Sequence, residues 1–274
     1  MRLRTFLATC LLAPALLAWG AKGHAITNAL ALKTLPPEVR AWYAGQEDVV
    51  REHASDPDHW KSRDRKEGPR HYLDVEPYGG ADGVPYDPKE AIQKVTAWEF
   101  QKAGLVPWVI QDRFRDLIDA FKSGDRAKVA YATAILGHYV GDAHVPLHTT
   151  GNHDGQQTGQ RGVHARWESG LVDRYVDETA LKALPASKEP DLFHAPWRWI
   201  RSANALLPKL LADDLAADRT SPENAKGTVR RGGYWAIYWD LQRETVQHQL
   251  EDGARHLGQL VLYAWELAGK PPAK

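Results

Sequence analysis

A single cysteine, Cys10, in 274 residues leaves nothing downstream of it from which to build disulfides or thiolate zinc sites. An excess of charge of either sign is missing too. Thirty-five Lys and Arg stand against 35 Asp and Glu, so there is no broad electrostatic footprint for nucleic acid, and phosphate recognition has to be local. With 26% charged and 43% apolar residues, the chain is neither an acidic solvating tail nor a disordered segment. Alternating β-branched runs between hairpin signals are absent, which argues against a sheet. The sequence has one long apolar run, over residues 6–17, too short for a permanent bilayer anchor.

That run follows Arg2 and Arg4, the shape of a secretory signal peptide over residues 1–18. Cleavage after Ala18 makes Trp19 the first residue, whereas cleavage after Ala15 suits the small-x-small rule better through Ala13 and Ala15. The expected mature chain, 19–274, is exported to the periplasm or secreted and has no transmembrane anchor. It also has no cysteine, so any metal must be held by imidazole and carboxylate.

Beyond Trp19 the pattern is helical nearly throughout. Asp87-Pro88-Lys89-Glu90 reads as an N-cap with Pro in the first turn and a capping-box Glu. Ile92, Val95 and Phe100 follow as a rough apolar stripe to Gly104. Ile110, Phe114, Leu117, Ile118 and Phe121 recur at spacings of three and four and stop at Gly124. Residues 129–144 continue helically to Pro146, and Val246, Leu250, Leu257, Val261 and Ala264 mark a last amphipathic helix. The loops over 61–70, 77–88 and 149–163 are too short to be domain linkers, and no internal repeat is present. The expected fold is therefore all-α, a single compact multi-helix domain.

The chemistry begins with His138 and Asp142, four apart on a helix and so on one face. Such a pair alone is more often a simple N–H···O contact than a ligand set. His148 follows the helix-ending Pro146 and can turn back toward the same pocket. His164 and Glu168 form a second pair with the same spacing. Two pairs with a histidine between them point to a metal cluster. His71 lies between apolar neighbours, where an imidazole without a partner is costly. Asp56 and Asp58 flank Pro57, and their simplest reading is turn capping; that of Trp19 is a core aromatic.

The ordered set Trp19, His24, Asp56, His71, His138, Asp142, His148, His164 and Glu168 resembles the trinuclear site of the superfamily joining zinc-dependent phospholipases C to single-strand-specific zinc nucleases. The stretch His138-Tyr139-Val140-Gly141-Asp142-Ala143-His144-Val145-Pro146-Leu147-His148 carries most of the likeness. The resemblance implies three zinc ions. One would be held by Asp56, His71, His138 and Asp142, and a second by His148, His164 and Glu168. The third would be held by His24, a bridging Asp142, and the α-amino nitrogen and carbonyl oxygen of Trp19. That last set needs a free amine at Trp19 and hence cleavage after Ala18.

Nitrogen and oxygen ligands with open positions suit catalytic zinc, and clustered cations favour hydroxide attack on a phosphodiester. In that chemistry Asp56 is expected to orient or deprotonate the attacking water, beside Asp142. Asp74 resembles a substrate-pocket carboxylate of the superfamily, though it equally fits a partner for a ligand imidazole. Tyr72 is read as an aromatic wall, and Asn152 and His153 as residues at the mouth of the site. The remaining histidines, His53, His59, His144, His194, His248 and His256, are read as surface groups or partners of ligands, with His144 pointing away from the cluster.

The substrate stays open between phospholipid and single-stranded nucleic acid. The step from Trp19 to His24 resembles the nuclease branch. Glu168 in place of an Asp, the short interval between His148 and His164, and the lack of disulfides favour a phospholipase C, toward which the reading leans. A non-catalytic zinc-binding protein is the lesser alternative, since structural zinc sites are normally closed by four protein ligands and the second set here offers three. No stable protein partner is evident.

Overall fold

A computed structural model describes residues 19–220, 230 and 233–273 of the chain. The expected signal peptide lies outside them. The described residues are all-α, as the periodicity indicates, with the main helices α1 (Gly20–Thr34), α2 (Glu47–Glu52), α3 (Asp56–Trp60), α4 (Pro88–Lys94), α5 (Ala97–Ala103), α6 (Val106–Ser123), α7 (Arg126–Asp142), α8 (Ala195–Asn204), α9 (Leu207–Thr220) and α10 (Tyr234–Leu267). Short helical turns punctuate the remainder, and no strand occurs among the described residues.

The centre of the fold is the packing of α1 against α7 and α10, with α2 and α6 flanking α7 and α9 lying along α10. Close approach here depends on Gly137, where a Cβ would fall 2.1 Å from Asn28 Oδ1 and 2.6 Å from Leu257 Cδ2. Asn28 uses its side-chain amide to bond Val50 O at 3.1 Å and Ala134 O at 3.0 Å, tying α1 to α2 and α7. Helix α6 buries Ile110, Phe114, Leu117 and Phe121 on one face and leaves Asp112, Arg115, Asp116 and Asp119 exposed on the other. It ends at Gly124, whose φ of 71° is left-handed and suits glycine. Asp125 then caps α7 by accepting from Ala127 N and Lys128 N.

Two boundaries differ from the sequence expectation. The stripe expected to run to Gly104 is broken at Val95, and Thr96 starts a new helix by accepting from Glu99 N at 3.1 Å. As a result Ile92 is 38% exposed instead of sharing a face with Phe100. Helix α10 starts at Tyr234, well before the aliphatic stripe, because its first turns bury Tyr234 and Tyr238. No described helix is long and apolar enough to cross a membrane.

Candidate metal centre

Helix α7 delivers His138 and Asp142 from its last turns, both fully buried. His138 Nδ1 donates to Ala54 O at 2.8 Å, which leaves Nε2 facing inward, 3.3 Å from Asp142 Oδ2. His71 closes the turn Gly68–His71, and its Nδ1 lies 2.9 Å from Asp142 Oδ2 and 2.9 Å from His138 Nε2. Its far nitrogen is 3.3 Å from Glu67 Oε1, the oxygen to which the Tyr139 hydroxyl donates. A buried carboxylate behind an imidazole fixes ring orientation and raises ligand basicity.

The proline turn Pro146–Thr149 swings His148 inward, so that Nδ1 is 3.4 Å from Asp142 Oδ1 and Nε2 is 3.0 Å from His164 Nε2. His164 Nε2 is in turn 2.9 Å from Glu168 Oε2. Glu168 sits in a π-helical stretch, Arg166–Leu171, a geometry that re-aims side chains and recurs at functional sites. The stretch is anchored by Arg166, which donates to both oxygens of the buried Asp214 on α9, each at 3.0 Å.

Helix α1 contributes His24, stacked on the His138 ring at 3.9 Å with Nε2 3.6 Å from Asp142 Oδ1. Trp19 lies immediately before α1, with its indole N–H bonded to Gly141 O at 2.7 Å and its ring against Trp167. Three sets of side chains result, each with ligand atoms within 4.8 Å of one another: His24, His138 and Asp142; Asp58, His71 and His138; His148, His164 and Glu168.

These sets fit a metal. Both nitrogens of His24, Asp142 Oδ1, Asp58 Oδ2, His148 Nδ1 and Glu168 Oε1 are buried without a hydrogen-bond partner. Such atoms are costly in an apolar interior unless a cation takes their lone pairs. A donor set of imidazole and carboxylate with no sulfur suits zinc. Asp142 and His24 are shifted in the sense a cation requires, whereas, against burial, Asp142 raises His138 and Glu168 raises His164. Burial alone would raise the Asp142 carboxyl, but His138 and His148 beside it, together with hydrogen bonds from His138 and His71, hold it well below the usual range. Burial, reinforced by His138, pushes His24 well down toward the neutral form a metal requires.

The structure corrects one expected member of the cluster. Asp56 is turned outward, accepting from Tyr131 Oη at 3.3 Å and paired with His53 Nδ1 at 2.8 Å. Asp58 takes the inward place, its Oδ1 3.6 Å from His71 Nδ1 and 3.8 Å from His138 Nε2. Both lie on α3, where two residues amount to a rotation of about 200°, so only one of them can face the cluster. Asp58, Glu67 and Lys61, whose Nζ is 2.6 Å from Asp58 Oδ1, are residues the sequence reading missed. Glu67 had a signal in its four-residue spacing to His71. Trp19 is brought to the cluster, but its main-chain nitrogen meets Glu168 Oε2 at 3.0 Å, not Asp142.

Asn152 folds back into its own loop, bonding Thr158 Oγ1 at 3.2 Å and accepting from Gln157 N at 2.8 Å. His144 does point away, yet neither it nor His256 is a surface group. Both are buried, with His144 Nε2 2.7 Å from His256 Nδ1 and the His256 ring stacked on Trp199 at 4.6 Å.

A cavity of about 470 Å³ opens over the cluster, floored by His71, His148 and His164 and walled by Tyr72, Asp74, Lys61 and Lys102. His153 also lines it, whereas Tyr72 Oη donates to Lys102 O at 3.1 Å. The Asp74 carboxyl is pushed up to about 7, first by burial and then by Glu76, against the pull of Lys102.

Fold and site together define an all-helical protein whose clustered imidazoles and carboxylates suit zinc. A family model described as S1/P1 Nuclease matches residues 19–260, and the chain belongs to that family. A search of the curated proteins finds no match. Among solved structures the chain is similar to the alpha-toxin of Clostridium perfringens isolated from an avian strain, with 11% sequence identity and a TM-score of 0.55. The match covers 93% of this chain and 66% of the toxin chain, and it is a likeness of fold.

Proposed function

We propose that the chain is an exported zinc-dependent phosphodiesterase that cleaves single-stranded nucleic acid. The observation that carries the proposal is the set of buried, unpartnered imidazole and carboxylate atoms lying under an open cavity. The family match supports nucleic acid over the phospholipid toward which the sequence leans. Phospholipid remains a second reading, favoured by Glu168 and by the short interval between His148 and His164.

Zinc ions would be held by Asp58, His71, His138 and Asp142, by His148, His164 and Glu168, and by His24 and Asp142 together with Trp19; bound there, they supply Lewis acidity to a phosphoryl oxygen and acidify water. The chain's own groups have separate tasks. Asp142 lies between all three groups and fixes their spacing. Asp58, with one oxygen held by Lys61 and the other free, is placed to orient a water and take its proton. Lys61 and Lys102 present positive charge to an entering phosphate. Asp74 and Tyr72 line the wall on which a substrate group would rest. Cleavage after Ala18 would free the Trp19 amine at the cluster and tie metal loading to export.

Turnover of a chromogenic phosphodiester, abolished by chelator and restored by zinc, tests the enzyme reading. Parallel assays on single-stranded DNA or RNA and on phosphatidylcholine micelles test the substrate. Hydrolysis of the micelles with the nucleic acid untouched would overturn the nuclease assignment.

A further inference from the structure

Next to the cavity lies a second groove of about 320 Å³ that shares Asp74, Lys102 and Gly151 with it and is rimmed by Trp98 and Glu99 of α5. Trp98 is 69% exposed, the most exposed large apolar side chain among the described residues. Lys102, one turn along α5, holds its ammonium 5.1 Å from the Trp98 ring centroid. Two of the three acids lining the groove are engaged. Glu76 accepts from Thr150 Oγ1 and Gly151 N, and Glu99 from Thr96 Oγ1. A flat aromatic face beside one cation, continuous with a phosphodiester-sized cavity, matches the way unpaired bases are held, by stacking plus backbone neutralisation.

We propose that Trp98 and Lys102 form a subsite for the nucleotide adjoining the one at the metal centre, the indole stacking on its base and the ammonium facing the phosphate between them. The inference rests on the nuclease reading and deepens it. A strand long enough to reach from the cavity into the groove is the preferred substrate, and its base must be unpaired to offer a face. The groove suits a base better than an acyl chain. Seating lipid on Trp98 would strip water from Glu99 and Lys102 on the same short helix, whereas a stacked base leaves both hydrated.

The test compares kcat/KM of the wild type, Trp98→Ala and Trp98→Phe on a short single-stranded oligonucleotide and on a chromogenic phosphodiester too small to reach the groove. Trp98→Ala is expected to lower the oligonucleotide-to-ester ratio by about 5- to 150-fold, chiefly through KM, and Trp98→Phe to restore most of it. Lys102→Ala should also flatten the salt dependence of oligonucleotide KM. A wild type that cleaves the oligonucleotide, with the ratio unchanged in Trp98→Ala, overturns the subsite and leaves the nuclease reading intact. Loss of phosphatidylcholine vesicle binding in Trp98→Ala with that ratio unchanged overturns it in favour of membrane docking. A wild type that hydrolyses the ester and leaves the oligonucleotide whole overturns both.

Discussion

The exchange of Asp56 for Asp58 can be tested with two conservative substitutions two residues apart. The Asp58 side chain is completely buried, with Lys61 at 2.6 Å and two imidazoles within 4 Å of the same oxygen. Asp58→Asn keeps the shape but removes the charge, leaving Lys61 facing the histidines without its counterion. Breaking a buried charged arrangement on one side costs about 3–5 kcal/mol, which corresponds to roughly a hundredfold to several thousandfold in affinity for the ion at that position. The Asp56 side chain is 25% exposed and paired with a His53 that is 43% exposed. Asp56→Asn therefore removes an exposed pair worth about 1 kcal/mol or less and should leave metal content alone. Metal analysis after dialysis against a weak chelator, together with phosphodiesterase activity, reads out both variants. Asp58→Asn should lose about one equivalent of zinc and nearly all activity. The reverse pattern, with Asp56→Asn losing the metal and Asp58→Asn keeping it, would refute the placement.

Chelation at neutral pH should lower the melting temperature, since bound zinc contributes about 4 kcal/mol per site at a thousandfold excess over Kd; a melting temperature indifferent to chelator would contradict the metal centre. Acidification should release the metal and destabilise the chain in step, because the ligand histidines must be neutral to bind, and metal retained through acid titration would speak against it. Asp74, raised in the folded chain to about 7 from an ordinary value near 3.8, keeps its proton where the unfolded chain has lost it. Stability owed to this group is thus present in acid and lost as pH rises through about 4 to 7, and the unfolding free energy of the wild type should fall relative to that of Asp74→Asn over that window; a pH-independent difference would sink the assignment. N-terminal sequencing of exported protein should find Trp19 first, and a start at Leu16 with full activity would remove the Trp19 amine from the site.

What could be read from the sequence was set by local geometry. His138 with Asp142 and His164 with Glu168 share faces because helical spacing dictates it, and the structure brings all four to one centre. Pro146 announced the turn that carries His148, and Asp87 and Gly124 marked helix ends by their own backbone chemistry. The choice between Asp56 and Asp58 depended on the rotational phase of a five-residue helix, which its neighbours set and no periodic stripe reveals. The burial of His144 against His256 joins residues 112 apart and has no local signature. Asn152 looked free for substrate, but its loop closes on itself through Thr158 and Gln157. The break between α4 and α5 has a local signature in the Thr96-x-x-Glu99 cap, which outweighs the hydrophobic spacing that runs across it.

The contact of the Trp19 nitrogen with Glu168 spans 149 residues, and α1, which follows it, packs along α10 near the other end of the chain. This bears on the order in which the molecule can assemble. A chain emerging from synthesis or translocation presents His24 long before Glu168 exists, and α1 has no final seat until α10 arrives. Loop closure over such separations slows folding and leaves early segments waiting. The centre is therefore a late product of folding, and a cation meeting the first hundred residues finds scattered ligands instead of a site. Zinc captured early would be held by the wrong partners, so correct loading requires the whole chain to have closed.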